Sequence, residues 1–280
     1  MNRMLTLLPC AAFATLLSGL ADANPGALEI NQDCAAVGCF AGDTGGFPVT
    51  ITQPGSYILT SDLTTSNVNL DAIDVRASPV DIDLNGHSID GGGTCSGTPA
   101  TSCSGAKGLN GIDAFVDINT PLVLHVHNGT VHGFANNGIF VAAGEGSVIE
   151  HVSAYENADN GVAVSGTSVG TPTTRIRDSQ LSRNQFAGAQ GVIDPAILVV
   201  ENSSITGNGG WGIYVNSQSV ATGNRINGNA GVGLFCTALT CVLGQNVFIG
   251  NNSAGSQFSI GTLSDMGGNV CPDHASSSCP

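Results

Sequence analysis

The sequence predicts an all-β fold of a single domain, a solenoid in which short parallel strands stack in rungs of about 21–27 residues. Two repeated features lead to this prediction. Glycine followed by a small or aliphatic residue recurs between residues 111 and 256, and asparagine stands four residues before each of the later glycines. No segment after residue 23 shows sustained helical periodicity, which argues against a helical array.

The glycine repeat sets the length of the predicted rungs. Its spacings are 27, 23, 27, 24, 21 and 22 residues, the range expected for short β runs joined by tight corners. The glycine pairs are Gly111-Ile112, Gly138-Ile139, Gly161-Val162, Gly188-Ala189, Gly212-Ile213, Gly233-Leu234 and Gly255-Ser256.

The asparagine column is predicted to be an internal ladder. Asparagine tolerates the left-handed conformation of a corner, and the side-chain amides of stacked corners can hydrogen-bond from rung to rung. The ladder residues are Asn157, Asn184, Asn208, Asn229 and Asn251. Apolar residues three and eight positions before each asparagine are predicted to face the core. These are Ala154, Leu181, Ile205, Ile226 and Phe248, and Ile149, Ile176, Val200, Ala221 and Leu243.

The composition limits the classes of partner. The chain has 280 residues with 7 Lys+Arg against 21 Asp+Glu, a formal charge of −14, so we expect no nucleic-acid partner. With 41% hydrophobic residues the chain has enough apolar surface to build a core and is not expected to be disordered.

Residues 1–23 are predicted to be a signal peptide. Arg3 supplies a positive start, residues 5–20 are apolar, and Ala21-Asp22-Ala23 has the form of a cleavage site. We therefore expect a secreted protein, extracellular or periplasmic. No later stretch approaches the roughly 18 apolar residues of a membrane span, so none is predicted. The oligomeric state stays open.

The cysteines predict disulfides. Cys10 falls in the predicted signal peptide, and the eight others fall into four close pairs, a pattern typical of local disulfides in an exported chain, although the sequence does not fix their connectivity. None of these pairs has the spacing of a zinc knuckle. The pairs are Cys34/Cys39, Cys95/Cys103, Cys236/Cys241 and Cys271/Cys279.

The chain resembles the right-handed parallel β-helix repeat family, the pectate-lyase-like superfold, as an exported bacterial-type member of unassigned activity. The resemblance rests on the repeat and on three early segments, Phe-Pro-Val-Thr-Ile at 47–51, Pro-Gly-Ser-Tyr at 54–57 and Val-Asp-Ile-Asp-Leu-Asn-Gly at 80–86. It implies a right-handed β-helix, and the family's pectate lyases and polygalacturonases make a polysaccharide the expected partner.

The resemblance also predicts how the mature chain is divided. Residues 24–79 form an N-terminal cap with the first strands, residues 80–260 form the rungs, and residues 261–280 form a C-terminal cap. A disulfide loop at 91–107 interrupts the rungs, and the first and last cysteine pairs pin the caps, since open solenoid ends need cover.

One outward column is predicted to be catalytic. Residues at equal offsets from the ladder position lie on neighbouring rungs about 4.8 Å apart. Two residues before that position, the column begins Asp90, His132, Tyr155. An acid, an imidazole and a phenol are the groups with which a polysaccharide lyase or uronate epimerase abstracts and donates protons. The column continues as Ser182, Thr206, Asn227 and Ile249.

Two further outward columns are predicted to bind substrate. The residues predicted to bind substrate are five members of these columns and the nearby Arg183. The five are His125, His127, Glu150, Arg175 and Arg177. The guanidinium groups of the three arginines match a uronate carboxylate. One column reads Asn85, His127, Glu150, Arg177, Glu201, and the other reads Asp83, His125, Val148, Arg175. The alternating charges of the first are also typical of ion pairs on a solvated sheet face without further function.

Two metal hypotheses accompany these columns. Asp81 and Asp83 share a face and are predicted to hold Ca²⁺, whose ligands are clustered oxygens. His125 and His127 also share a face, and they would bind a metal with His132. No cofactor is otherwise predicted.

Two classes of function remain open. The first is a secreted protein that binds or processes an extracellular polysaccharide, with lyase or epimerase chemistry if it is an enzyme. The second is a noncatalytic surface, adhesive or structural solenoid, or one stiffened by Ca²⁺. Trp211 and Tyr214 flank Gly212 and offer a surface on which a sugar can stack.

Overall fold

The chain folds as a solenoid of about eight turns, with parallel strands and few helices, which confirms the predicted fold class. The computed structural model describes residues 26–117, 120–142, 144–166, 173–193, 196–215, 218–237, 240–261 and 263–272. Each turn passes through a strand of sheet B and then through two successive segments of sheet A, which we call the first arm and the second arm.

Sheet B forms one wall with nine parallel strands in chain order. Its strands are β2 (Val49–Ile51), β5 (Ile73–Val75), β10 (Ile112–Ala114), β12 (Ile139–Ala142), β14 (Val162–Ser165), β17 (Ala189–Ile193), β20 (Ile213–Val215), β23 (Leu234–Cys236) and β26 (Phe258–Ile260).

The first arm of sheet A also stacks in chain order. It contains β1 (Leu28–Ile30), β3 (Gly55–Leu59), β6 (Val80–Asp83), the first part of β11 (Leu124–His132), the first part of β13 (Ser147–Tyr155), β15 (Thr173–Arg177), β18 (Ile197–Glu201), β21 (Ser219–Thr222), β24 (Cys241–Gly244) and β27 (Leu263–Asp265).

The second arm shares β11 and β13 with the first, and their second parts pair with its shorter strands. The remaining strands of this arm are β4 (Leu63–Thr64), β7 (Ser88–Asp90), β16 (Gln180–Ser182), β19 (Ser204–Thr206), β22 (Arg225–Asn227) and β25 (Val247–Ile249).

A single left-handed residue marks the bend between the two arms. Asn128, His151, Asp178 and Asn202 have φ values of 61°, 53°, 50° and 49° and take this position on four successive rungs. Asn and Asp enter this conformation more readily than most residues, which explains three of the four. Because one residue turns the chain, β11 and β13 run through the bend without interruption.

The core is a narrow aliphatic column, as predicted. Both apolar columns counted from the asparagines are buried, including Ala221 at 3% exposure, the most exposed of them. Tyr57, Phe134 and Phe248 are the largest fully buried side chains. Aromatic bulk is therefore needed at few positions, in keeping with an aromatic content of 5%.

The five asparagines form a continuous buried ladder. In Asn157, Asn184, Asn208 and Asn229, the backbone N and Nδ2 both donate to Oδ1 of the next asparagine, at 2.8–3.1 Å. Asn251 ends the ladder by donating in the same way to Gln257 Oε1. Each amide thus satisfies backbone and side-chain groups that are shut away from water.

A second ladder, which the sequence analysis missed, lies five residues before the first. Asn246 N and Nδ2 donate to Asn269 Oδ1, and Asn224 donates in the same way to Asn246. Serine hydroxyls continue this column, since Ser203 N donates to Asn224 Oδ1 and Ser179 N to Ser203 Oγ. The constant five-residue offset was the available signal.

A third ladder serves the early rungs. Asn110 N and Nδ2 donate to Asp71 Oδ1, Asn137 donates to Asn110 Oδ1, and Asn160 Nδ2 donates to Asn137 Oδ1. Each of these asparagines directly precedes a glycine of the repeat, a signal that was also in the sequence.

The repeat glycines lead into sheet B where the rungs stack closely. At Gly212, a Cβ atom would lie 2.5 Å from the carbonyl oxygen of Gly233 and 3.0 Å from Asn229 Nδ2, so a larger residue would collide with the ladder. The predicted last pair of the glycine repeat, Gly255-Ser256, is wrong. Leu234 pairs with Phe258, which puts Gln257 where Gly255 was expected, because the short 3₁₀ turn η1 (Asn252–Ala254) adds length to that corner.

Three predicted disulfides are formed. Cys34–Cys39 lies at the N-terminal end beside helix α1 (Gln32–Ala35), and Cys236–Cys241 closes a corner. Cys95–Cys103 ties a hairpin of β8 (Thr94–Ser96) and β9 (Ser102–Ser104) within the predicted loop. Cys271 is also oxidised, and its predicted partner Cys279 lies outside the described residues, as does the predicted signal peptide.

Among the described residues, no helix is long and apolar enough to span a bilayer.

Candidate functional site

The second arm brings the predicted acid, imidazole and phenol together. His132 pairs in register with Asp90 on one side and with Tyr155 on the other, so the three side chains project outward from consecutive rungs. His132 Nδ1 lies 3.5 Å from Asp90 Oδ1. The rings of His132 and Tyr155 are stacked, with centroids 4.7 Å apart and planes 3° apart. The predicted column is therefore one contiguous group.

The surroundings assign different proton roles to these side chains. Asp90 Oδ1 accepts a hydrogen bond from Gly92 N at 2.6 Å, which holds the carboxylate beside the imidazole. Burial raises the pKa of Tyr155, and the nearby charges of Glu156 and Asp90 add to the effect. The phenol therefore stays protonated at neutral pH and can donate a proton.

The disulfide hairpin borders this column. Ala100 N donates to Gly207 O, and Cys103 N donates to Gln185 Oε1, so the hairpin crosses the corner of several rungs beyond its own. Arg183 Nη2 lies 2.8 Å from Glu156 Oε1 and also donates to Cys95 O. These contacts give Arg183 a role in holding the hairpin, and its predicted role in substrate binding stays a prediction.

The first arm carries a second polar group. His125 and His127 lie on the outer face of β11 with Asp81 and Asp83 as their register partners on β6. The sequence analysis placed Asn85 next to His127 in one outward column, and this alignment is wrong because Asp83 is the register partner of His127. The turn between β6 and β7 holds two more residues than the single-residue bends of later rungs, so counting from the ladder shifted this strand by two positions.

Ion pairs extend this group along the solenoid. Glu150 is held by Arg177 Nε and by His125 Nε2, the latter at 2.9 Å from Glu150 Oε1. Burial acts to raise the pKa of Glu150, but the hydrogen bonds from Arg177 and His125 outweigh it and hold the pKa below its usual range. Glu201 pairs with Arg175 at 3.3 Å instead of with Arg177. The alternating charges therefore do form ion pairs across strands.

An open groove of about 680 Å³ follows the bend between the two arms. Hydroxyl, amide, imidazole and carboxylate groups line it on successive rungs. The lining side chains on these rungs are Asn128, Thr130, His151, Ser153, Asp178 and Gln180, and Gly86, Gly129 and Val152 complete the lining. Because His127, Glu150 and Arg177 directly precede the bend residues, the groove runs between the first-arm group and the Asp90–His132–Tyr155 column.

The structure groups the predicted metal ligands differently from the two metal hypotheses of the sequence analysis. Asp81, His125 and His127 form the one group of three or more potential metal ligands within the described ranges, with one ligand atom from each within 4.8 Å of the others. His132 lies past the bend beside Asp90 and Tyr155, so the predicted trio of histidines is wrong. Ca²⁺ binding by Asp81 and Asp83 stays a prediction, and the nearby imidazoles are unsuited to a cation that prefers oxygen.

A pair of acids on sheet B escaped the sequence analysis. Asp74 and Asp113 are register partners whose side chains are 14% and 16% exposed, and Arg76 reaches both. Burial raises the pKa of Asp113 to about 6, repulsion from Asp71 and Asp74 adds to this, and Arg76 opposes it. The similarity of Ile73-Asp74-Val75 to Ile112-Asp113-Ala114 was the signal.

This acid pair predicts an unusual pH dependence of stability. The pKa of Asp113 rises from 3.8 to about 6 on folding, so the folded chain binds the proton more tightly and stability is lost as pH rises through that window. We expect Asp113→Asn to raise the free energy of unfolding at about pH 7 by up to about 3 kcal/mol, and the gain to vanish near pH 4. Chemical denaturation of both proteins across this range measures it.

Asp62 supplies the matched control. A hydrogen bond from the backbone of Ser88 lowers the pKa of Asp62, so Asp62→Asn should destabilise the chain at neutral pH, opposite in sign to Asp113→Asn. Equal pH profiles for wild type and Asp113→Asn would contradict the assigned role of burial at Asp113.

An aromatic cluster occupies the later rungs on the outer side of sheet B. Tyr214 and Phe235 are register partners with stacked rings, 5.3 Å between centroids and 4° between planes. Trp211 contacts both, with centroids 4.9 and 5.3 Å away, and Phe186 packs edge-on against Trp211 at 4.8 Å. All four are only partly buried. The two aromatic residues noted in the sequence thus belong to a larger cluster.

Comparison with known proteins matches the architecture. A family model described as a right handed beta helix region matches residues 110–264. Full-length tailspike protein 2 from Escherichia coli O157:H7 bacteriophage CAB120 is similar in structure, with a TM-score of 0.56, 14% identity, and coverage of 79% of this chain and 35% of the tailspike chain. The chain thus spans about a third of the tailspike's length.

A weaker similarity is found to pectate lyase Pel9A, with a TM-score of 0.38, 15% identity, and coverage of 85% of this chain and 74% of the lyase. No curated protein matches the sequence. At such identities the similarity is one of fold, and the chemistry has to be argued from the side chains themselves.

Proposed function

Because the chain belongs to the right-handed β-helix family, we propose that it is an exported protein that binds a polysaccharide along the groove between the two arms of sheet A. The observation that carries the proposal is the open groove lined by hydrogen-bonding side chains, with ionisable groups on both sides. Its lining repeats from rung to rung, and a polymer of similar units can meet such a surface with one sugar after another.

The groove offers the contacts that sugars require. The hydroxyls of Thr130 and Ser153 and the amides of Asn128 and Gln180 donate and accept hydrogen bonds, as sugar hydroxyls do. Arg177 is 44% exposed beside Glu150, so its guanidinium group remains accessible to the carboxylate of a uronic acid. The substrate class we propose is therefore a uronate-containing polysaccharide.

If the groove is catalytic, its chemistry is β-elimination or epimerisation at the carbon next to that carboxylate. His132, oriented by Asp90, takes the proton from this carbon. In elimination, Tyr155 gives its proton to the departing glycosidic oxygen, the carbon–oxygen bond breaks and a carbon–carbon double bond forms. In epimerisation, a proton returns to the opposite face of the same carbon, and no bond of the polymer breaks.

Export is supported by the oxidised cysteines. Three disulfides among the described residues, with a further oxidised cysteine at position 271, are typical of proteins that fold in an oxidising compartment. Export is what binding of an extracellular polysaccharide requires.

Filling the groove tests the binding proposal. Ser153→Tyr places a ring in the groove from an outward position, and we expect it to weaken binding of uronate polymers by at least about tenfold. Ser204→Tyr is the matched control, because Ser204 lies in the same outward column two rungs further on and outside the groove. Binding is measured against a panel of uronate and neutral glycans, and equal losses for both variants would overturn the assignment.

The chemistry needs its own readout. We expect His132→Ala and Tyr155→Phe to reduce turnover by about 100-fold or more while binding is retained, whereas Asn227→Ala in the same column leaves turnover unchanged. Unsaturated products, new reducing ends and changed epimer ratios are followed over the same panel. Binding without turnover on any member would argue against the catalytic step and leave the binding proposal standing.

A noncatalytic, adhesive function is the second candidate, and the aromatic cluster on sheet B favours it. The flat faces of Trp211 and Tyr214 resemble surfaces that stack on sugar rings or anchor a protein partner. In this case Trp211→Ala, and not Ser153→Tyr, should abolish glycan binding.

A further inference from the structure

We propose that Asp81, His125 and His127 form a binding site for a divalent transition-metal ion of the Zn²⁺ class, at the edge of the groove. The inference rests on side chains of the first arm and does not depend on the proposed polysaccharide function.

The geometry of the three ligand atoms is the first observation. Asp81 Oδ1 lies 2.8 Å from His125 Nδ1 and 3.3 Å from His127 Nε2, and the three ligand atoms lie within 4.8 Å of one another. Ligand atoms bound to one tetrahedral Zn²⁺ ion at about 2.0–2.1 Å lie about 3.3 Å apart, so small side-chain rotations suffice to close the site.

The outer partners of the two imidazoles are the second observation. His125 turns its other nitrogen, Nε2, to Glu150 Oε1 at 2.9 Å, and Glu150 is itself held by Arg177. His127 turns its other nitrogen, Nδ1, toward Asp83 Oδ1 at 3.5 Å. Each imidazole thus has one nitrogen facing Asp81 and the other facing a second carboxylate. This is the arrangement that keeps the proton on the outer nitrogen and frees the inner one to bind a metal.

Asn128 has to move when the ion binds. Its Nδ2 lies 2.7 Å from His127 Nδ1 and donates to Asp83 Oδ1 at 3.2 Å. Rotation of this exposed side chain away from the ring frees His127 Nδ1 to carry its proton towards Asp83, and Nε2 then binds the ion.

The charge and the donor types select the class of ion. Asp81, Asp83 and Glu150 bring three carboxylates to the group and Arg177 brings one guanidinium, so two negative charges remain uncompensated when the imidazoles are neutral. Two imidazole nitrogens and one carboxylate oxygen suit Zn²⁺ and its transition-metal neighbours, whereas Ca²⁺ takes six to eight oxygens. The ligands are therefore matched to a transition metal.

The fold holds the ligands in place. Asp81 and His125 are register partners on adjacent parallel strands, and His127 lies two residues along the same strand, so hydrogen-bonded backbone fixes all three positions. Asp81 is 40% exposed and His125 is 36% exposed, so the site opens to solvent. Three protein ligands leave at least one coordination position free for water or for an oxygen of a bound molecule.

Titration of the metal-free protein with Zn²⁺ alone tests the proposal. We expect isothermal titration calorimetry to find one saturable site per chain, and His125→Ala or His127→Ala to weaken it by at least about 100-fold. Glu150→Gln removes only an outer partner and should weaken Zn²⁺ binding by about 10-fold to 100-fold. His87→Ala is the matched control, because His87 contacts Asp62 in a corner turn and should leave Zn²⁺ binding unchanged.

The absorption spectrum of bound Co²⁺ separates the loss of a metal ligand from the loss of folding. The visible absorption of bound Co²⁺ should show a four-coordinate site with nitrogen ligands, and the two histidine variants should lose this spectrum while keeping the circular dichroism of the wild type. Absence of saturable Zn²⁺ binding in the wild type would overturn the proposal. So would a site that prefers Ca²⁺ and survives both histidine substitutions.

Discussion

Replacing Asn208 with alanine is expected to lower the free energy of unfolding by about 3–5 kcal/mol. Asn208 lies in the middle of the buried ladder with 0% exposure. Its Oδ1 accepts from both the backbone N and Nδ2 of Asn184, and its own Nδ2 donates to Leu181 O and Asn229 Oδ1. The substitution removes these bonds and leaves buried donors without an acceptor, each at a cost of about 1–3 kcal/mol.

Chemical denaturation followed by circular dichroism measures this loss, and the fluorescence of Trp211, the only tryptophan of the chain, reports on the same corner between β19 and β20. Asn227→Ala is the control, since Asn227 is an outward residue of the second arm on the next rung, and we expect a change within about 0.5 kcal/mol. Similar losses for the two variants would show that the ladder contributes little to stability.

Phe134→Ala is expected to cost about 3–5 kcal/mol, the second large effect. Phe134 is fully buried and takes the ladder position on its rung, where its backbone N donates to Asn157 Oδ1. Its ring fills space that three glycines leave open, since a Cβ atom on Gly91, Gly108 or Gly111 would lie within 3.0 Å of a ring carbon. Alanine would leave a cavity that the hydrogen-bonded rungs cannot collapse to fill.

The thermal midpoint and denaturation curve of Phe134→Ala provide the measurement. Phe140→Ala is the matched control because Phe140 lies on the outer side of sheet B and is only partly buried, so its loss should be clearly smaller. Phe134→Leu should fall between wild type and Phe134→Ala. A Phe134→Ala protein as stable as Phe140→Ala would mean that the early rungs close around the gap.

The positions of His132 and Tyr155 could be predicted because the spacing between the two arms is constant on their rungs. From His127 to His132, from Glu150 to Tyr155 and from Arg177 to Ser182 the chain advances five residues, so one offset places every outward residue of both arms. A single-residue bend leaves no room for variation on these three rungs, whereas the earlier strand with Asp83 is seven residues from Asp90. The sequence therefore carried the positions of His132 and Tyr155 directly.

The predicted columns are wrong where a corner of the solenoid has a different length from the others. The longer turn after Asp83 displaced the first-arm strand in the counting and hid the pairing of Asp83 with His127. The 3₁₀ turn after Asn251 displaced the last repeat and hid the role of Gln257 as the end of the ladder. Corner insertions are invisible to a count that assumes a fixed offset, although each strand they join reads clearly.

Contacts between columns could not be predicted from the repeat at all. Register places Glu150 between His127 and Arg177, and its ion pair with Arg177 follows from the column, yet its other oxygen lies against His125 and not His127. Arg183 likewise turns to Glu156 and to the hairpin, contacts that its own offset does not indicate. The direction of a long side chain depends on charges in the adjacent columns and on inserted segments, which the offset of its own residue does not encode.

By itself the sequence determined the solenoid, its ladder and core columns, and the face on which Asp90, His132 and Tyr155 meet, because a stacked repeat converts offset into position. Only the tertiary structure decided the groove between the arms, the contacts of the cysteine hairpin with later rungs, and the grouping of Asp81 with His125 and His127. These depend on how a bend, an insertion and an early strand of different corner length come together in space, and no periodic pattern contains that information.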